Sequence, residues 1–387
     1  MKLCGILFGI LWFSAMLAGC AIAPAASRPD HLFSDRLFNP PAERILAQDV
    51  FAVSEPMKRF LALEISPHLR ARGLREGFVE ALYAKGQLRL EYDSGTTRNA
   101  AQAFDTRTGN CLSLVIMTAA LAKELGLAVR YQRVYLDDAY GRSGDTYFAV
   151  GHVNLSLGRR QLDGGFGRDG SDTTTIDFLP PLELRGVRTQ VIAEERIVAN
   201  FMNNRSAEAL VRGDIDDAYW WARAAIAADP EFLGSYNTLG VVYQRHGNAD
   251  EAERVLSYAV QRDPTNAHAL ANLTRALDAL GRTAERNALA RKLEKLEPDP
   301  PFSYFNRGLA ALREGNYLAA RDQFAREVAR APYYHEFHFW LAIASVGLGD
   351  GAAAREQLSL AIEYSTARKD RELYAAKLDW INASRLP

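Results

Sequence analysis

Cysteine is scarce in this chain. There are three in 387 residues, and two of them, Cys4 and Cys20, fall within the first twenty positions. Cys111 is therefore alone in the rest, which excludes a disulfide scaffold there, and no His or carboxylate cluster stands at metal-ligand spacing from it. Charge of one sign is also lacking. Lys and Arg number 46 against 47 Asp and Glu, a formal net charge of −1. No basic stripe stands out, which argues against nucleic acid as the main partner, since phosphate binding needs concentrated cations. After the first twenty residues no run reaches about 18 uninterrupted apolar positions, the length that a membrane-crossing helix needs. The glycine-rich Gly158–Gly170 lacks both the Gly–Lys–Ser/Thr ending and a following helix, so it reads as a mobile lid or loop and not as a nucleotide site. Neither a cofactor nor a metal is expected.

The opening "MKLCGILFGILWFSAMLAGC" has Lys2, an apolar run too short for a comfortable span, and small residues at its close. That is the pattern of an export signal. Its last four residues resemble the lipobox of bacterial lipoproteins. The resemblance implies cleavage after residue 19, with Leu17, Ala18 and Gly19 as recognition residues and Cys20 as the lipidated N-terminus. Acyl chains anchor at about 0.8 kcal/mol per buried methylene. Ala21, where an aspartate would retain a lipoprotein at the inner membrane, implies the bacterial outer membrane, with the chain facing the periplasm. A plain secretory signal cut nearby is the alternative. Residues 20–55, with "SRPDHLFSDRLFNPPAERI", read as a tether or irregular lead-in.

The second half repeats itself. Pro230, Pro264, Pro298 and Pro332 stand 34 residues apart. Around them one pattern recurs, most completely in "GSYNTLGVVYQRHGNADEAERVLSYAVQRDP", with Tyr236, Leu239, Gly240, Tyr243, Ala252, Leu256 and Ala259. Aromatic, small and aliphatic residues in this order let two antiparallel helices pack and stack on the next pair. The pattern is that of the tetratricopeptide repeat. Looser copies bring Ala218, Ala222 and Ala225; Leu270, Leu273 and Leu277; Gly308, Ala320 and Phe324; and Leu341, Ala354 and Leu358. Residues 191–387 are thus expected to form an all-α solenoid of about five repeats, closed by "RELYAAKLDWINASRL" as a capping helix. The resemblance implies a protein or peptide partner in the groove of the array. His246, His268, His335 and His338 read as surface or packing residues.

The lone thiol sits in "RTGNCLSLVIMTAALAKELGLAVRYQRV". Asn110 is a plausible N-cap, and Leu112, Val115, Ile116, Ala119 and Ala120 recur at helical spacing. Lys123 and then Gly126 mark the far end. Cys111 then occupies the first helical position, where free N–H groups and the helix dipole favour a thiolate. Strands are expected over "LRLEYD", "LAVRYQRV" and "TYFAVGHVNLSL", the last carrying His152, and "TTTIDFLPP" leads to Asp177. Thr97, Arg98 and Gln102 are possible cleft residues.

Cysteine opening a helix, then histidine in a strand and aspartate at the end of another, resembles the transglutaminase-like (papain-like) fold. The resemblance covers roughly residues 74–180, inside an α+β domain expected over 56–190. It implies Cys111 as nucleophile, His152 as general base and Asp177 as the acid that orients the imidazole, the arrangement needed for attack on an acyl carbon. Asn110 and the backbone N–H of Cys111 are candidate oxyanion donors. Two departures stand out. The insert "GRRQLDGGFGRDGSD" separates the His and Asp segments and makes Asp163 a rival for the third role. Val153 follows His152 where true transglutaminases commonly have tryptophan, which favours hydrolysis or another acyl transfer over protein crosslinking.

Three functions remain open. One is a cysteine hydrolase or acyl-transfer enzyme acting on amide or peptide bonds, with the repeats recruiting its partner. The alternative is a catalytically inactive transglutaminase-like and repeat scaffold at the outer membrane. The third is a redox-sensing thiol, which lacks a resolving cysteine.

Overall fold

The computed structural model describes residues 29–384 except 84–87, 89, 94, 136–139, 144–145, 150, 161–164, 167–171, 179–186 and 366–367. Cys20 and Asp163 lie outside the described residues. The lead-in contains three 3-10 turns, Asp30–Leu32, Asp35–Leu37 and Ala47–Asp49. Helix α1 (Glu55–Phe60) continues through a π turn at Leu61–Ile65 into α2 (Ser66–Arg72), which Gly73 ends at φ +83°. Helix α3 (Leu74–Tyr83) follows. Within "LRLEYD", whose residue 89 is not described, the structure gives β1 (Glu91–Tyr92), paired in parallel with the two-residue β2 (Thr108–Gly109). Between them lies α4 (Ala100–Thr106), started by a capping box in which Asn99 and Gln102 exchange hydrogen bonds.

Helix α5 (Cys111–Glu124) is the centre of this unit. Every residue from Cys111 to Ala122 is buried, as a helix that is apolar all round must be. It ends at Gly126, φ +77°, and the chain turns into β3 (Leu127–Tyr135). The strand expected over 146–157 is split. Strands β4 (Tyr140–Ser143) and β5 (Thr146–Ala149) form a separate hairpin, and β6 (His152–Arg160) begins at the histidine itself. With β7 (Thr174–Ile176) and β8 (Arg188–Ile192), the main sheet has the order β7-β6-β3-β8, antiparallel throughout. Helix α5 packs on β6 and β3. The described part of the glycine-rich insert folds back on its own strand. Arg159 N donates to Gly165 O (2.9 Å) and Gly165 N to Arg160 O (3.1 Å). A Cβ on Gly158 would lie 2.8 Å from Gly165 O, so glycine is what permits this approach.

The division between the halves expected after residue 190 falls inside β8, and among the described residues β8 runs directly into α6 (Glu194–Arg212). Helix α6 and its partner α7 (Ile215–Ala228) belong to both. Ile197, Phe201, Met202 and Trp221 complete the core around α5, while Ala209, Ala218, Ala222 and Ile226 open the core of the repeats. The array continues with α8 (Leu233–His246), α9 (Ala249–Arg262), α10 (Ala267–Ala279) and α11 (Thr283–Leu296). Helices α12 (Ser303–Arg313), α13 (Tyr317–Arg330), α14 (His335–Gly347) and α15 (Gly351–Tyr364) follow, and α16 (Arg368–Ala383) closes the end. The solenoid is all-helical, with tetratricopeptide pairing. Its turns are also periodic: Gly213, Gly247, Gly281, Gly315 and Gly349 all have positive φ. The core of the stack is divided after α11, which buries no residue fully. A separate aromatic core then begins at Phe302, Phe305 and Phe324.

Gly240 shows why the repeat needs a small residue in its first helix. A Cβ there would fall 2.5 Å from Leu256 Cγ on the opposing helix. In an exposed helix Gly→Ala stabilises by up to about 1 kcal/mol. Here the clash reverses the sign, and Gly240→Ala is expected to cost about 1–3 kcal/mol. Loss of helicity at a lower temperature by circular dichroism checks this, and a raised midpoint contradicts it.

Candidate active site

The site is built at the first turn of α5. Asn110 Oδ1 accepts from Ser113 N (2.9 Å) and from Ser113 Oγ (2.8 Å), which caps the helix. The other end of the same carboxamide, Nδ2, donates to Thr97 Oγ1 (2.8 Å). Asn110, expected as an oxyanion donor, spends its Oδ1 on the cap and one of its two Nδ2 hydrogens on Thr97, which leaves one N–H donor on the carboxamide. The backbone N–H groups of Cys111 and Leu112 are further donors at this helix end, since they have no intrahelical acceptor. Of the other expected cleft residues, Gln102 serves the capping box of α4, and Arg98 donates its N–H to Ser113 Oγ (2.8 Å) and pairs with Asp93. Thr97 is buried and reaches further, because its N–H donates to Glu208 Oε1 on α6 (2.7 Å). Burial raises the Glu208 carboxyl above its ordinary value, against the opposing pull of the Thr97 bonds.

Cys111 opens α5, and only 6% of its surface is exposed. It meets His152, the first residue of β6, across the contact between helix and sheet. Asp177 follows β7 directly. The pairing of Leu155 with Ile176, carried one residue on, sets Asp177 beside Asn154. Side chains two apart on a strand share a face, so His152 and Asn154 both reach this carboxylate. His152 Nε2 donates to Asp177 Oδ1 (2.8 Å) and Asn154 Nδ2 donates to Asp177 Oδ2 (2.8 Å). Nε2 is thereby used, and Nδ1 is the ring nitrogen left for the Cys111 sulfur. The three residues singled out in the sequence come together; Asp163, the rival acid, is among the residues not described.

The electrostatics follow from burial and charge. His152 is 3% exposed, and burial alone would push its pKa down. The hydrogen bond to Asp177 and the contact with Cys111 outweigh that and lift it to about 9. At neutral pH the ring is an imidazolium held between a carboxylate and a sulfur. Such a site can take an acyl group on sulfur and return a proton to a leaving group. Asn154 was not anticipated. It is 5% exposed, and its Oδ1 has no hydrogen-bond partner among the described residues. The signal was available in "HVN", where the alternation of a strand places residues 152 and 154 on one face. The Thr97–Glu208 link spans 111 positions and left no local trace in the sequence.

Among the described residues no group of three or more His, Cys, Asp or Glu could hold a metal ion. Nor is any helix there long and apolar enough to cross a membrane. A cavity of about 670 Å³ lies in the repeats, beside Leu296, Tyr304, Arg326 and Arg330, and involves no residue of the Cys–His–Asp group. Elsewhere in the repeats, His338 is buried by packing and bonded to Gln357 and to the Pro332 carbonyl.

The tetratricopeptide-repeat family profile matches residues 243–301. A tetratricopeptide repeat-containing protein of Pseudomonas aeruginosa is 30% identical over 132 residues, which is 34% of this chain and 22% of that protein. The chain thus spans about a fifth of the length of this curated relative. Among solved structures, a thermophilic tetratricopeptide protein of Thermus thermophilus is similar over 46% of this chain and 98% of its own, at 19% identity and TM-score 0.31. Yeast Tom70 is similar over 48% of this chain and 40% of its own, at 14% identity and TM-score 0.35. These matches bear on the repeats. Tetratricopeptide arrays are modules of protein–protein interaction.

Two outcomes test the site as a physical object. Asp177→Asn removes the anion beside His152, and the ring should then titrate closer to its ordinary value of about 6.5. NMR of the His152 ring protons reads this, and an unmoved titration contradicts the pairing. The sign for stability follows. The folded chain holds a proton on His152 that the unfolded chain has released, so this contribution is whole below about pH 6.5 and is lost as pH rises through about 9. Asn110→Ala should cost about 1–2 kcal/mol through the lost cap, measured by thermal melting.

Proposed function

We propose that the chain is a cysteine-dependent hydrolase or acyl-transfer enzyme whose repeats bring it to a protein partner. The observation that carries this reading is the His152–Asp177 hydrogen bond with Cys111 against the same imidazole, at the N-terminus of a buried helix. A structural cysteine needs neither a charged base nor an orienting carboxylate. Order and placement also agree with what the resemblance to transglutaminase-like domains implies.

In the proposed mechanism the sulfur, as thiolate beside the His152 imidazolium, attacks the acyl carbon of an amide or peptide bond. The carbonyl oxygen takes up negative charge, which the N–H groups of Cys111 and Leu112 meet at the positive end of α5. His152 gives its proton to the leaving nitrogen, the C–N bond breaks, and a thioester to Cys111 remains. Water or an acceptor amine then attacks the thioester, His152 takes its proton as base, and the C–S bond breaks to release the acyl product and return the Cys111 thiolate beside the imidazolium. Asp177 holds the ring in place, and Asn154 holds Asp177 from its other oxygen. Asn154 is a positioning residue in this scheme, because it touches the aspartate and not the reacting atoms. The repeats recruit the substrate or a partner that presents it. Lipidation at Cys20 would tether the whole to the periplasmic side of the bacterial outer membrane.

The test is alkylation of Cys111 by iodoacetamide, read by mass spectrometry on the peptide that carries it. At pH 6.5 the wild-type protein should react about tenfold faster or more than His152→Ala, because a free thiol is mostly protonated there. Equal rates, or no reaction in either protein under native conditions, contradict the reading. Asn154→Ala should retain the fold and slow the reaction less than His152→Ala does, with the His152 titration moved downward. The scaffold alternative predicts that cellular function survives Cys111→Ser, whereas the enzyme loses it.

A further inference from the structure

The surface of the first repeats is already occupied by the chain itself. Residues 30–39 are two copies of one five-residue pattern, Asp–basic–Leu–Phe–Ser/Asn: Asp30-His31-Leu32-Phe33-Ser34, then Asp35-Arg36-Leu37-Phe38-Asn39. Each copy makes the same 3-10 turn, in which the Phe N–H donates to the Asp carbonyl, Phe33 to Asp30 and Phe38 to Asp35. The first copy lies against α7, α8 and α9, and the second against α7 and α8.

The contacts are those of a bound peptide. Ser34 N donates to the hydroxyls of Tyr219 (3.0 Å) and Tyr243 (2.9 Å), and Tyr243 in turn donates to the Leu32 carbonyl (3.0 Å). The indole N–H of Trp220 donates to the Asn39 carbonyl (2.6 Å). Asp216 accepts from Asn39 N (3.0 Å) and Asp217 from Ala42 N (2.8 Å). The array thus reads backbone groups, while two side chains fill its surface. Leu32 is 1% exposed, and Phe38 stacks on Tyr219 with centroids 3.9 Å apart at an interplanar angle of 6°. Asp35 is held by Arg223 (2.9 Å) and by the Tyr219 hydroxyl (2.5 Å). Recognition by main-chain bonds with a few anchoring side chains is how folded domains capture extended segments.

We propose that residues 30–39 are a cis-acting ligand of the repeat array, a separable latch over a surface that binds peptides of the same acidic, Leu–Phe pattern. Three features favour a latch over a fixed part of the core. Only Leu32 and Phe38 of these ten residues are buried, while Asp30, His31, Asp35, Arg36 and Asn39 are exposed. Among the described residues the segment pairs with no strand and has only two 3-10 turns of its own, although Leu32 and Phe38 complete the apolar cluster of the first repeats. Its downstream residue Val50 belongs instead to the core around α5, so release would not cut the array. Tethered in cis, the latch acts at an effective concentration on the order of millimolar, which excludes weaker peptides until it is displaced.

The experiment uses a fluorescent synthetic peptide of residues 29–43 and anisotropy with the full-length chain. Wild type should bind it weakly because the surface is filled. A chain with Asp35→Ala and Phe38→Ala should bind it about tenfold tighter or more, the expected gain when a cis competitor is removed. Adding Tyr243→Phe, which deletes only the hydroxyl, should reverse that gain. If the loosened variant binds no better than wild type while keeping its helicity, the proposal is overturned. Hydrogen exchange on the unaltered chain covers the case in which the variants misfold. The Ser34 and Asn39 amides should be protected, yet open faster than the amides within α8. Exchange as fast as a free peptide, or only together with α8, overturns the latch.

Discussion

A buried threonine joins the two halves of this protein at the place where its chemistry is proposed. Thr97 accepts from the carboxamide that caps α5 and donates its own N–H to Glu208 on α6. The end of the helix that presents Cys111 is therefore fixed by a residue of the first repeat pair. Around this link, Ile197, Phe201, Met202 and Trp221 close the apolar core in which α5 is buried. The repeats are thus structural for the unit around α5 as well as being appended to it. A change in the packing of α6 would be felt at the cap of α5, since low-dielectric, hydrogen-bonded networks tolerate little misfit.

The same economy runs through the site. One strand, β6, supplies both the imidazole and the amide that hold Asp177, and one short strand, β7, delivers the carboxylate in register. The helix dipole and free N–H groups come from the start of α5, so little is required of mobile loops. The charges balance locally: a cationic ring between a carboxylate and a sulfur is a tolerable arrangement at 3% exposure, whereas an unpaired charge there would not be. This is why the ring stays protonated although burial opposes it.

Much of this was legible in the sequence, for definite reasons. Cys111, Asn110 and Gly126 bracket a helix by local rules of capping and termination, and the 34-residue period of the prolines exposes the solenoid. Local rules fail where pairing decides. The segment around Glu91 alternates like a longer strand, but its partner is two residues long. The run from Thr146 to Leu157 looks continuous, yet it breaks just before His152 because its two ends pair with different strands. The amide of Asn110 suits an oxyanion site on paper, and only the position of Thr97 shows that one of its two N–H donors is already used. The lead-in looked like a tether because its Asp, Pro and Asn content is that of loops. Its order comes from Tyr219 and Tyr243, roughly 200 positions away, and no window along the chain could reveal that.

The central claim is that Cys111 is an acyl acceptor activated by His152, and the most direct test is to trap the acyl group. The full-length protein would be mixed with an excess of p-nitrophenyl acetate near neutral pH, quenched in acid and examined by mass spectrometry, with His152→Ala and Cys111→Ser alongside. The account predicts a rapid release of about one equivalent of nitrophenolate and one acetyl group on the Cys111 peptide, with the release lost in Cys111→Ser and strongly slowed in His152→Ala. Acetylation spread over lysines at equal rates in all three proteins would contradict it, and Cys111 would then be a packing residue in an interaction scaffold.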